Sequence, residues 1–157
     1  MAGRETPATR AAKAAGITYT LHEYDHDPRA ESYAGEAAEA LGLDPRRVFK
    51  TLVVSLGGDA LAVAIVPAVD QLDLKAVGKR AAMADTGRAE KVTGYVAGGI
   101  SPLGQRKRLA TFLDDSARGF DTIFVSAGRR GLEIELAPDD LVALTAADVR
   151  PLARAAS

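Results

Sequence analysis

The stretch TGYVAGGISPLGQRKR, Thr93 to Arg108, packs four glycines and a proline into sixteen residues and ends on three consecutive cations, Arg106, Lys107 and Arg108. Glycine lets a main chain approach a ligand closely, while Pro102 fixes its own φ and removes one donor. Such a loop can aim the amides of Gly98, Gly99 and Ile100 at an anion, or at an oxyanion developing on a carbonyl, with the cations nearby for phosphates. The same residue types also make an ordinary turn between two elements.

Other chemistry-bearing residues are scattered. Lys50 stands in VFKTLVV, Val48 to Val54, among residues that favour burial. It could lie against a substrate carbonyl or phosphate, or simply project to solvent from an edge strand. His22 and His26 lie among Glu23, Asp25 and Asp27, but they do not sit on a helix at a chelating spacing, no third histidine is available and a polar strand end followed by a turn explains them, so no metal site is expected. Asp114-Asp115 and Asp139-Asp140 could act as acids or bases, yet the first pair suits a strand-ending turn and the second a helix start. No GxSxG elbow and no Ser-His-Asp order is present. The chain has no cysteine, which excludes a disulfide, a thiolate metal site and a cysteine nucleophile supplied by the protein.

The elements that must carry these residues follow from patterning. Thr6 and Pro7 open an alanine-rich helix over Ala8 to Ala15, closed by Gly16. Ile17 to Tyr24 alternates as a strand with Ile17, Tyr19 and Leu21 on one face, Asp25 to Ser32 is a loop, and Tyr33 to Leu41 is a helix ended by Gly42. Val48 to Leu56 and Ala60 to Val66 flank Gly57-Gly58-Asp59 as a β-hairpin. Leu74 to Met83 is predicted helical, Ala89 to Thr93 a weaker helix. Ala110 to Leu113, Thr122 to Val125 and Leu132 to Leu136 are short strands, and Pro138 leads into a helix over Asp139 to Leu144. Together these predict an α+β fold, one domain over residues 1–157, with a mixed, mainly antiparallel central sheet flanked by helices.

The 157 residues are 47% apolar, enough for a globular core, and the longest apolar run, Ala60 to Val69, is too short to span a membrane. The opening MAGRETPATR has no apolar signal region, so a soluble cytoplasmic protein is expected. A formal net charge of -1 argues against general polyanion binding, leaving local cationic patches or a partner for any nucleic-acid contact.

Five segments, HEYDHDP (His22 to Pro28), FKTLVV (Phe49 to Val54), QLDLK (Gln71 to Lys75), TGYVAGGISPLGQRKR and GRRGLEIELAPDDL (Gly128 to Leu141), occur in an order and spacing that resembles the YbaK branch of the YbaK and prolyl-tRNA synthetase editing-domain family, the free-standing Cys-tRNA(Pro) deacylases. The resemblance spans Thr6 to Asp148. It implies that the protein removes cysteine wrongly attached to tRNA(Pro), in trans to prolyl-tRNA synthetase, without a cofactor. A synthetase pocket sized for proline cannot strongly reject a similar small amino acid, so a second site must correct the error. The implied chemistry is substrate-assisted, the cysteine thiol attacking its own ester carbonyl, so the enzyme is of hydrolase or lyase type.

Carried over by position, the resemblance implies that Lys50 contacts the terminal adenosine or the ester, that Gly98, Gly99, Ile100 and Ser101 form the oxyanion loop with Pro102 beside them, and that Tyr24 and Asp140 shape the pocket or bind the amino group. Thr51, Arg129 and Arg130 are implied neighbours, with Arg106, Lys107 and Arg108 available for tRNA phosphates. Two alternatives stay open: deacylation of another mischarged tRNA such as Ala-tRNA(Pro) by water, and a non-catalytic module that binds an aminoacyl or nucleotide group. The near-neutral charge favours a ternary complex with tRNA and prolyl-tRNA synthetase.

Overall fold

Residues 4–27 and 33–155 are described in the structure, a computed structural model. Pro28 to Ser32, the second half of the predicted loop, lie outside the described residues. The chain runs α1 (Pro7–Ala15), β1 (Tyr19–Glu23), α2 (Tyr33–Leu41), β2 (Phe49–Gly57), β3 (Ala60–Pro67), β4 (Asp70–Leu72), α3 (Leu74–Val77), β5 (Ala82–Met83), α4 (Thr86–Thr93), β6 (Ala110–Asp114), β7 (Ile123–Arg129), β8 (Leu132–Leu136), α5 (Pro138–Thr145), β9 (Asp148–Arg150) and β10 (Ala153–Ala155).

The largest sheet has the order β5-β2-β3-β6-β9; β2 is antiparallel to both neighbours, while β3-β6 and β6-β9 are parallel. A second, antiparallel sheet has the order β1-β8-β7, and β10 pairs with β4. The mixed, mainly antiparallel α+β expectation holds, but the strands form two main sheets, joined where Val48 bridges Phe124. The main core lies where they face each other: Phe49, Val53, Val63 and Ile65 pack with Ile123, Val125, Leu132, Ile134 and Leu136. Strand alternation explains this, since Leu132, Ile134 and Leu136 share one face of β8 and Glu133 and Glu135 the other.

Local signals place most elements. Thr6 caps α1 in a reciprocal box with Thr9, and its hydroxyl also donates to the Ala127 carbonyl, tying the helix to β7. The hairpin forms around Gly58-Asp59. The helix predicted over Leu74 to Met83 is instead a single turn, Leu74–Val77. Gly78 has an extended φ of 178° and ends it, and Ala82 and Met83 pair with Ser55 and Val54 on the free edge of β2. α4 starts earlier than predicted because Asp85 caps it through the Arg88 amide.

Asp114 closes the base of the larger sheet. Its Oδ1 accepts from the amides of Leu152 (2.8 Å) and Ala153 (2.9 Å), and its Oδ2 from the amide and hydroxyl of Ser116. Burial alone would raise its pKa, but these hydrogen bonds outweigh burial and hold it below the usual carboxylate value. The residue is structural, as the turn-forming alternative had it. A carboxylate with a depressed pKa contributes stability above its unfolded value and loses it as pH falls through the folded one. Asp114→Ala, which strands these donors, is expected to cost about 2–4 kcal/mol at neutral pH in denaturant unfolding, a difference that shrinks as the solution is acidified. Equal stability of variant and wild type at pH 7 would contradict the assignment.

Candidate active site

β5 covers only the far end of β2, so the edge from Phe49 to Val53 faces a cavity of about 360 Å³. Phe49, Lys50, Thr51, Leu52 and Val53 line one side, Met83, Ala84, Thr86 and Ala89 a second, Ala97, Gly98 and Ile100 a third, and Tyr24, Ala34, Ser126 and Glu133 close it. The Ala84 amide donates to the Val53 carbonyl, so odd-numbered residues of β2 turn their peptide groups towards this edge, whereas Val48 turns its carbonyl to Ala68 on the β3 side. The peptide of Thr51 therefore faces the cavity.

Three side chains in the lining lack the partners that burial ordinarily demands. Lys50 is half-buried, and among the described residues no hydrogen bond or ion pair holds its ammonium. Burial lowers its pKa, a shift that the nearby charge of Asp70 offsets only in part. The hydroxyl of Thr51 is buried without a hydrogen-bond partner. Glu133 is only 6% exposed and faces no cation at ion-pair distance among the described residues; burial raises its pKa to about 8. Tyr24, raised to about 12 chiefly by burial and secondly by Glu133, completes the group. Buried polar groups are nearly always hydrogen-bonded, so this set fits a ligand that supplies the missing bonds.

The glycine-rich stretch is a closed loop. Its neck is the Arg106 amide on the Thr93 carbonyl (2.9 Å), and inside it the Tyr95 hydroxyl donates to the Leu103 carbonyl (2.6 Å). Ala97 is held at both ends, its amide by Glu90 (2.7 Å) and its carbonyl by the Arg130 guanidinium (3.0 Å). A Cβ at Gly99 would lie 2.8 Å from the Arg129 Cα and 3.0 Å from the Arg130 nitrogen, so only glycine lets the loop rest on that turn.

The residues predicted for the site separate into groups. Tyr24, Lys50, Thr51, Gly98 and Ile100 line the cavity together. Gly99 does not offer its amide, which donates to the Val96 carbonyl at 2.9 Å, leaving the expected oxyanion donors as Gly98 and Ile100. Ser101 is fully buried outside the lining, its Oγ accepting from the Leu103 amide and its carbonyl from Gln105. Pro102 lines a separate hollow of about 180 Å³ with Arg108. Arg130 reaches Ala97 and not the cavity, and Asp140 sits in the first turn of α5, also outside the lining. Arg106, Lys107 and Arg108 are exposed.

Glu133 was not foreseen. In LEIEL it alternates with leucine and isoleucine and reads as the solvent face of a half-buried strand. Only the covering of that face by Tyr24 and α2 makes it a cavity residue. Among the described residues neither histidine is paired with a hydroxyl: His22 contacts Glu135 (2.9 Å) and His26 contacts Glu36 (2.8 Å). The site can bind and orient, with cation, amides and carboxyl in place, but among the described residues offers no hydroxyl paired with an imidazole.

A lined cleft of this kind, at the uncovered edge of a mixed sheet and roofed by a glycine loop, belongs to a fold already seen in solved proteins. A crystal structure described as a proposed trans-editing enzyme for prolyl tRNA synthetase superimposes with a TM-score of 0.78 at 25% identity, covering 96% of this chain and 99% of that one. That of the hypothetical protein APE2540 superimposes with a TM-score of 0.84 over 95% of this chain and all of the other; at 24% identity it speaks for the fold alone. The aminoacyl-tRNA editing domain family matches residues 27–144, and the chain belongs to that family. EbsC of Enterococcus faecalis, whose name proposes a Cys-tRNA(Pro)/Cys-tRNA(Cys) deacylase, is 36% identical over 147 residues, 90% of this chain and 89% of EbsC. The protein is thus a deacylase of the aminoacyl-tRNA editing class. No helix among the described residues is long and apolar enough to cross a membrane.

The raised pKa of Glu133 has a thermodynamic signature. An acid that binds its proton more tightly in the folded state costs nothing below its unfolded pKa of about 4.5; the penalty grows as pH rises from there to about 8. Glu133→Gln removes the charge but keeps the shape. Its melting temperature is expected to gain on wild type as pH is raised from about 5 to 8, by an amount equivalent to about 2–4 kcal/mol. Parallel melting curves across that range would contradict a buried, unpaired carboxyl.

Proposed function

We propose that the protein clears cysteine from Cys-tRNA(Pro), and that its site works by orienting the substrate so that the cysteine thiol attacks its own ester. The observation that carries this reading is a cavity in an editing domain whose lysine, threonine and carboxyl have no partner among the described residues, where also no hydroxyl is paired with an imidazole base. In the step itself the sulfur bonds to the carbonyl carbon, the bond from that carbon to the ribose oxygen breaks, and the thiol proton ends on that oxygen. The products are free tRNA and a cyclic thiolactone. Holding sulfur and carbonyl in contact supplies much of the rate, and the amides of Gly98 and Ile100 meet the charge that grows on the carbonyl oxygen.

Lys50 meets the terminal adenosine or the ester oxygen, Thr51 gives its orphan hydroxyl and peptide to the substrate, and Glu133 and Tyr24 take the amino end. The apolar walls, Phe49, Val53, Ala84 and Ala89, suit a small side chain. The near-neutral net charge of -1 leaves the tRNA body to be held elsewhere, which supports action beside prolyl-tRNA synthetase in the cytoplasm.

Single-turnover deacylation of Cys-tRNA(Pro) tests the reading. Wild type is expected to clear the substrate, Lys50→Ala to lose about 100-fold in rate while staying folded, and added synthetase to speed the reaction when tRNA is limiting. No turnover by folded wild type, with or without synthetase, would refute the function; an unaltered Lys50→Ala rate would refute the site.

A further inference from the structure

His26 stands outside the cavity lining, yet it begins a chain of contacts that ends on it. Its Nδ1 is 2.8 Å from Glu36 Oε1 on α2, and Glu36 Oε2 accepts from the Asp27 amide at 2.6 Å. Its Nε2 is 3.3 Å from an Arg130 guanidinium nitrogen. Arginine only donates, so Nε2 must present its lone pair and the ring proton must sit on Nδ1, donated to Glu36. The same guanidinium donates twice to the Ala97 carbonyl, at 3.3 Å and 3.0 Å. Ala97 immediately precedes Gly98, and both line the cavity.

We propose that His26 is a positioning residue for the glycine loop: with Glu36 it orients the Arg130 guanidinium, which fixes the Ala97 carbonyl and hence the direction of the Gly98 amide. This deepens the proposed function and rests on that reading of the loop as the carbonyl-oxygen site. Backing from α2 is needed because the loop is otherwise held at this point by the Glu90 contact to the Ala97 amide, by the Gly99 amide on the Val96 carbonyl and by the packing of Gly99 on the 129–130 turn. The turn bond closes around the peptide joining Ala97 to Gly98 without setting its rotation, and the other two do not touch that peptide's carbonyl, whereas the guanidinium does. The C=O and N–H of one peptide point in opposite directions, so fixing one aims the other. The geometry also gives Arg130 a definite role, clamp and not substrate ligand, and explains a histidine–carboxylate pair placed beside a reactive cleft without reaching into it.

The experiment combines a readout that needs no turnover with one that does. Amide hydrogen exchange of the peptide covering residues 96–100 is measured in wild type, His26→Leu, His26→Gln, Arg130→Leu and the double variant His26→Leu/Arg130→Leu, followed by single-turnover deacylation at saturating Cys-tRNA(Pro). His26→Leu is expected to speed exchange in this peptide and slow the chemical step about tenfold or more, with KM little changed. His26→Gln, whose amide can accept from Arg130 and donate to Glu36, restores most of both. The double variant is expected to be no worse than the worse single one, because both act through one chain of contacts. Unchanged loop exchange in His26→Leu, or additive losses in the double variant, would overturn the proposal. Should His26→Leu fail to fold, Arg130→Leu and His26→Gln decide alone: loop exchange in Arg130→Leu equal to wild type overturns it. Altered exchange with no deacylation by any form would uphold the positioning role and refute the proposed function instead.

Discussion

The contact on which the site depends is main chain against main chain. The glycine loop rests at Gly99 on the turn between β7 and β8, with no space for even a methyl group between them. Much of the structure serves to bring these two backbones together. The register of β7 on β8 shifts between Ser126 and Arg129, and this bulge swings Arg129 and Arg130 towards the loop. On the other side Tyr95, buried beneath the loop, holds Leu103, and the cap of α1 holds Ala127 within the bulge. A displacement at any of these points moves the Gly98 and Ile100 amides relative to Lys50, which the hairpin of the larger sheet fixes independently.

The cavity costs stability. A carboxyl at Glu133 and a hydroxyl at Thr51 are buried, and an ammonium at Lys50 half-buried, without partners among the described residues, against the habit of protein interiors. By contrast Asp114, equally buried, has four donors and serves only the fold. The two acids differ in their surroundings: one is satisfied by its own chain, the other lines the cavity with no partner among the described residues.

Much of this was legible in the sequence. Thr6 before Pro7, Gly16 after an alanine run, and two glycines between alternating apolar segments state their elements through capping and turn chemistry, and the structure follows them. The segment from Leu74 to Met83 did not, because its apolar spacing is helical while Gly78 and the open edge of β2 decide otherwise; pairing to a distant strand leaves no local trace. Lys50 and the loop were visible as residue types, but only their order along the chain, shared with a family, marked them as a site. Glu133 was hidden by alternation, which separates core from outside and cannot tell solvent from a cleft. Ser101, in the loop by sequence, turns inward as a brace, and Pro102 and Asp140 fall elsewhere, since neighbours in a motif need not face the same way.

The central claim is that the protein orients and the substrate's own thiol attacks. Single-turnover deacylation of Cys-tRNA(Pro), Ser-tRNA(Pro) and Ala-tRNA(Pro), compared side by side, tests it most directly, since serine replaces only the thiol by a hydroxyl and alanine removes it. The account predicts that cysteine is cleared while serine and alanine remain attached. Comparable clearing of serine or alanine would contradict it and assign the attack to water.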